Sequence, residues 1–394
     1  MKRILIFILC LCNFTSKAQV LLTLDEAVKL TLQNNFDIQL ARNSSAIATN
    51  NNTVGNAGML PSLNATAGTG GSNTNINQNL ADGRTIDKNG VPSNTLNAGA
   101  SLNWTLFDGM GMFINRTRLN QLQQTGELNY RLQVENSIYE VMTLYYQLVK
   151  QQYLVKINRT NLKVSEERLR LAENRYKVGT GSKLDFLQNK VDYNNDQSAL
   201  VMQEYTLDAG KMQLNQLMAR EAATPFLVAD SISSDLMADY GALQKDILDK
   251  NHSLKLTEMN KNLALLDIKS IRAQQLPKLN MNLGYNYNQS KTTAGFMLLN
   301  QNQGAVYGLS ATLPLFNGFN VNRQYKNAQL TVENTTLLYK KQQLQLTTQL
   351  SAVYLRYTRN KELLLLQQEN IEVARQTVAI ALENTVQEAA LCWM

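Results

Sequence analysis

One set of punctuation marks occurs twice in this chain. Leu60-Pro61-Ser62-Leu63 returns as Leu276-Pro277-Lys278-Leu279, and Leu106-Phe107-Asp108-Gly109 returns as Leu315-Phe316-Asn317-Gly318. Asn35 and Asn251 precede the two prolines at the same spacing. Self-similarity of this kind marks a repeated structural unit and outranks any single motif. Each copy reads helix, LPxL, a polar-apolar segment, LF[D/N]G, then a very long helix. The chain is therefore read as a first repeat over 19–220, a linker over 221–238 and a second repeat over 239–394.

The opening helix begins TLDEA, where Thr23 can cap and Glu26 can reach back as a capping box. Helical pattern runs from there to about Asn50, and its counterpart spans about Tyr240 to Gln274. Pro61 and Pro277 mark the exits, because the residue before a proline is pushed toward extended backbone. After them the period falls to two. Leu279, Met281, Leu283, Tyr285 and Tyr287 alternate with Asn280, Asn282, Gly284, Asn286 and Asn288. The same rhythm predicts four strands, over about 61–75, 94–107, 277–290 and 304–315. The Gly/Asn/Thr-rich connections, about 70–93 and 290–304, read as long exposed loops.

A soluble sandwich would alternate too. Here the polar partners are small amides and hydroxyls with almost no charge, and aromatics sit in the strands. That is the weaker signature of a transmembrane β-barrel. The apolar series Leu279, Met281, Leu283, Tyr285, Tyr287 is assigned to lipid and the asparagines to a wet lumen. Four strands cannot enclose a lumen, and open edges in lipid leave backbone groups unpaired. Closure must come from other subunits; three copies would supply twelve strands.

From Gly111 to about Val178 there is no proline, and at 1.5 Å per residue such a helix would reach ~100 Å. Val134, Ile138, Val141, Tyr145 and Leu148 form one stripe. Leu132, Tyr139, Met142, Tyr146, Val149 and Tyr153 form a second, breached at Glu135. This is coiled-coil rhythm on two faces, as in a closed cylinder of helices. Arg175 to Ser182, RYKVGTGS, supplies Gly179 and Gly181 for a tight reversal into a second helix over about Lys183 to Arg220. The corresponding long helix of the second copy runs from about Val321 to Glu388.

The N-terminus MKRILIFILCLCNFTSKAQ has a basic start (Lys2, Arg3), an apolar stretch (Ile4 to Cys12) and a small-x-small site at Ser16-Lys17-Ala18. Residues 1–18 read as an export signal. Cys10 and Cys12 would leave with it, so Cys392 alone remains and no disulfide or thiolate metal site forms within the mature chain. Losing Lys2, Arg3 and Lys17 leaves 35 basic against 31 acidic residues, scattered along helices with no basic tail. A nucleic-acid partner is not indicated. No run of ~20 apolar residues follows the signal. The single histidine, His252, reads as a packing or surface residue, and no metalloprotease motif, phosphate loop or serine elbow is present. The chain is read as neither an enzyme nor a holder of a metal or cofactor.

The ordered repeat, TLDEA, both LPxL prolines, LFDG/LFNG and RYKVGTGSKLDFL together give a family resemblance. The chain resembles the TolC-like outer membrane efflux proteins of Gram-negative bacteria over nearly all its mature length. That resemblance implies a mixed α/β membrane protein: a homotrimer with a twelve-stranded barrel in outer membrane lipid, continued by a helical periplasmic tunnel. It implies a passive exit duct for efflux or secretion, joined through a periplasmic adaptor to an inner membrane pump. Arg175, Tyr176, Lys177, Val178, Gly179, Thr180 and Gly181 match the hairpin tip that meets the adaptor. Asp185 matches an acidic position just inside it, at the tunnel entrance. Pro61, Asp108, Gly109, Pro277, Asn317 and Gly318 mark the strand–helix junctions.

The likeness lapses at the end. A second RYKVG-type turn is expected near Asn384 to Glu388, where the chain reads ALENTVQEAALCWM. A truncated gene model, a frameshift or a fragment, without the second returning helix, is the expectation, and a truncated, non-functional duct is one alternative reading. The competing reading is an exported coiled-coil adhesin or periplasmic scaffold, which leaves the paired strands in both copies unexplained.

Overall fold

The computed structural model describes residues 20–229 and 239–391. The expected export signal 1–18, part of the linker and Cys392 lie outside them. The chain opens with β1 (Val20–Leu22) and α1 (Leu24–Asn34). Thr23 Oγ1 accepts from the Glu26 amide and Glu26 Oε2 accepts from the Thr23 amide, the reciprocal cap that TLDEA encodes.

The expected single helix to about Asn50 is instead two, because α2 (Phe36–Asn51) starts afresh. Asn35 makes the break. Its amide still donates to Thr31 O, its Oδ1 accepts from the Asp37 and Ile38 amides, and its Nδ2 donates to Leu217 O at 2.9 Å. One buried side chain thus ends a helix, caps the next and ties both to another element. The second half breaks likewise, between α5 (Tyr240–Lys250) and α6 (His252–Ala273), where Asn251 Oδ1 accepts from the Leu254 amide.

The described residues fall into two compact units: 20–50 with 123–229, and 51–122 with 239–391. These boundaries cut across the two sequence repeats. The reason is that strands of both halves join one sheet, which draws 51–122 into company with the second half.

The first unit is built on the helical hairpin of α3 (Gly111–Lys177), whose first turns lie in the other unit, and α4 (Lys183–Leu217). β1 pairs in parallel with β4 (Phe226–Val228), Leu22 opposite Val228. Neither short strand was legible from periodicity. Tyr145 fastens them to α3: its hydroxyl donates to Leu22 O at 3.0 Å and accepts from the Ala229 amide at 3.1 Å. Around it Val141, Leu148, Val149, Leu214, Met218 and Phe226 close the core. The first predicted stripe of α3 is thus buried at Val141, Tyr145 and Leu148; of the second, Val149 is buried and Tyr146 half-buried in the same core, whereas Tyr139, Met142 and Tyr153 remain exposed.

The second unit holds one antiparallel sheet of β2 (Ser62–Asn79), β3 (Thr85–Asp108), β5 (Lys278–Thr292) and β6 (Leu299–Thr312), in the order β2-β3-β5-β6. The strands run further than expected, so the long loops shrink to 80–84 and 293–298. Asn, Thr and Gly prolong the ladders because their backbones pair, and Thr85 Oγ1 meets Asn79 Oδ1 at the end of the first. β6 stops at Thr312, short of the expected 315, because Pro314 has no amide to donate. α7 (Asn320–Leu391) follows, and α5 and α6 pack on it. Tyr240 stacks edge-on against Tyr354 at 5.2 Å, and its hydroxyl lies 2.9 Å from Ser351 Oγ.

Candidate functional site

The four-stranded sheet is the first candidate surface. Its registers place Leu63, Leu102, Leu283 and Tyr307 in one row, then Ala65, Ala100, Tyr285 and Ala305 in the next. Since paired residues share a face, a single apolar face runs over all four strands and includes Leu279, Met281, Leu283, Tyr285 and Tyr287. Leu283 and Tyr285 stand open on it, and Tyr307 is 85% exposed. A soluble protein would cover so large a patch.

The opposite face is amide and glycine. Ser62, Asn103, Asn282 and Gly308 share one row, and Asn286 stands between Gly99 and Gly304. Any Cβ on Gly99 would run into the Asn286 carboxamide, so these amides lie down over bare backbone. Thr105 Oγ1 donates to Asn280 Oδ1 at 3.0 Å across the same face.

At the foot of β3 the register slips between Thr105 and Phe107. The extra residue, Leu106, lets Leu106 and Phe107 fall on the apolar face together and brings Asp108 opposite Lys278 on the other. Alternation alone did not reveal this bulge. Asp108 Oδ1 then accepts from the Met112 amide at 3.0 Å and caps α3. Gly109 and Met110 are both left-handed, at φ 74° and 72°, and Gly318 and Phe319 repeat the pair at 63° and 59°. Pro61 and Pro277 stand immediately before β2 and β5, where Trp104 Nε1 donates to Met59 O beside the first.

The hairpin tip is the second candidate surface, described within its own unit. Arg175 O accepts from the Thr180 and Gly181 amides, both at 2.9 Å, and from Thr180 Oγ1. Gly179 takes φ 77°, and a Cβ on Gly181 would come within 2.9 Å of Arg175 Cβ. Tyr176 stacks on Phe186 at 5.9 Å, Lys177 pairs with Glu173, and Val178 stands 73% exposed. Ser182 caps α4 through the Asp185 amide, and Asp185 accepts from Asn189 Nδ2 in the exposed first turn. Among the described residues no cluster of metal-binding side chains occurs. No described helix is long and apolar enough to cross a membrane, which says nothing of a barrel.

Residues 27–220 and 243–385 match the profile described as "Outer membrane efflux protein". Outer membrane protein TolC of Escherichia coli (strain K12) is 24% identical over 258 residues, 62% of this chain and 51% of TolC. Protein CyaE of Bordetella pertussis is 21% identical over 257 residues, covering 64% of this chain and 53% of CyaE. The chain spans about half the length of these curated relatives. Among solved structures, that of CusC aligns over 89% of this chain and 80% of its own at TM-score 0.68 and 15% identity. The open-state MtrE channel of Neisseria gonorrhoeae aligns over 84% and 72% at TM-score 0.61 and 16% identity. With the matched profile covering both halves of the chain, its hairpin tip and its sheet included, the chain belongs to the outer membrane efflux protein family.

Proposed function

We propose that this chain is a subunit of an outer membrane exit duct, three copies forming a twelve-stranded barrel above a helical periplasmic tunnel. The carrying observation is the sheet: one face apolar across all four strands, one face of amides, hydroxyls and glycines whose charges stand at its foot, Asp108 opposite Lys278, and two unpaired edges, β2 and β6. Lipid fits the first face and water the second, while only further strands satisfy the edges. A coiled-coil scaffold has no use for such a sheet.

The duct itself performs no chemistry. Its work is to hold a wet passage open while a pump delivers substrate. The exposed tip, Arg175 to Gly181, is the surface for a periplasmic adaptor that connects to an inner membrane pump, and Asp185 stands beside that entrance. Outer membrane fractions tested by electrophoresis with and without heating should contain a trimer that dissociates on boiling. Purified protein should add discrete conductance steps to a planar lipid bilayer. An elongated monomer confined to the soluble periplasmic fraction would refute the reading.

A further inference from the structure

The two hairpins of the sheet have the same register once the repeats are superposed. The correspondence that carries Pro61 to Pro277 and Gly109 to Gly318 carries the observed pair Ser62–Asn103 onto the observed pair Lys278–Thr312. A third pairing, β3 with β5, joins the end of one repeat to the start of the next within the chain. The end of the second repeat, β6, and the start of the first, β2, are left open at the two edges.

The junctions below the strands differ in the same way. Gly109 is seated: a Cβ there would collide with Ala273 O and lie 2.7 Å from Leu276 Cβ, in the turn between α6 and β5. Gly318 has the same left-handed backbone, yet a Cβ there would meet, among the described residues, only Asn320 Nδ2 of its own chain, at 3.9 Å. Around it Leu315 is 89%, Phe316 75% and Phe319 71% exposed. The backbone is shaped for a seat that no described residue of this chain fills.

We propose that a second copy of this chain fills it. The β6–α7 junction docks head to tail on the α2–β2 turn of the next copy, Ala57 to Leu60, as the β3–α3 junction docks on Ala273 to Leu276. The inference rests on the oligomeric duct reading and adds the register of its seam. Carrying Ala100–Tyr285 and Leu102–Leu283 across the repeat sets Leu309 opposite Thr69 of the partner subunit, and Ala311 opposite Ala67 of the partner subunit. In this register the apolar faces of the two sheets run on without a step. On the polar face Ser310 meets Gly68 of the partner subunit, and no charged pair is forced together. Leu299 to Thr312 then lie along Thr66 to Asn79, so the first residue of β6 falls opposite the last of β2. A head-to-tail contact of this kind closes into a ring when its rotation permits.

The test uses a chain in which Cys10, Cys12 and Cys392 are replaced by alanine. Thr69→Cys is combined in turn with Tyr307→Cys, Leu309→Cys and Ala311→Cys, and membranes are oxidised before non-reducing electrophoresis. The Leu309 pairing should give covalent dimers and trimers at least tenfold faster than the other two, whose cysteines are displaced by about 7 Å along the strand. A Gly318→Asn variant checks the seat. Asparagine tolerates the left-handed backbone but brings a Cβ, so it should lower the trimer fraction at least tenfold while helical circular dichroism is kept. Trimers that crosslink fastest at Tyr307 or Ala311, or a Gly318→Asn protein that trimerises normally, overturn the seam and leave the duct standing. Failure of the parent protein to oligomerise or to enter the outer membrane overturns both.

Discussion

Two side chains show how single residues hold the fold. Tyr145 sits in the core with its hydroxyl between the Leu22 carbonyl and the Ala229 amide. Burial pushes its pKa above the ordinary phenol value, so the group stays neutral and remains a donor. Tyr145→Phe should cost about 1–3 kcal/mol, because two backbone groups lose their partner in a dry site, and thermal melting of the helical signal will read the loss. Gly109 is a backbone case. An alanine there pays roughly 1–2 kcal/mol for the left-handed conformation, and overlap with Ala273 O adds to it. Gly109→Ala should therefore depress the melting temperature of the unassembled chain more than Gly318→Ala, whose surroundings within the chain are open. The importance of both glycines could be read from their repetition after Leu-Phe. Their unequal packing could not, since the seat is built from residues far away in sequence. Asn35 and Asn251 were visible as repeated positions too, but their role as helix breaks was not. No glycine or proline announces those breaks, and a capping side chain replaces one.

At the scale of elements, alternation with a period of two located all four long strands. It stopped short at their outer ends because Gly, Asn and Thr have no strong face preference. It also missed the bulge at Leu106, since one inserted residue changes which face each later side chain takes. The facing of β5 can be tested directly. Leu283→Arg places a charge on the apolar face and should cost about 2–4 kcal/mol near mid-bilayer. Asn282→Asp, one residue away on the amide face, should assemble close to the parent level. The comparison is the yield of heat-modifiable trimer, and equal losses would reverse the assignment. β1 and β4, with three residues each, are too short for any periodicity to mark. The hairpin tip was legible from Gly179 and Gly181. Its geometry adds that the Arg175 carbonyl gathers three donors, which pins the turn with Val178 exposed at its tip. On the proposed docking of this tip to a periplasmic adaptor, Val178→Asp should abolish export by the reconstituted assembly while leaving trimer yield and bilayer conductance intact.

At the scale of the whole molecule, the helices carry the same information as the sheet edges. Two stripes on α3 implied two packing partners, and one stripe finds its partner inside the chain, at Val141, Tyr145 and Leu148. The other gives Val149 and part of Tyr146 to that same core but keeps Tyr139 at 71% exposure, with Met142 and Tyr153 also open. An exposed residue contributes little to a subunit's own stability, commonly within about ±0.5 kcal/mol. A residue buried between subunits contributes to assembly instead, and a charge trapped there without a partner is costly. A double variant, Tyr139→Glu with Met142→Glu, separates the two effects. If the second stripe meets a neighbouring subunit, the isolated chain should melt as the parent does while heat-modifiable trimer falls at least tenfold. Unchanged trimer with unchanged melting would mean that this face looks onto water, and the helical wall would then have to close along other residues of α3.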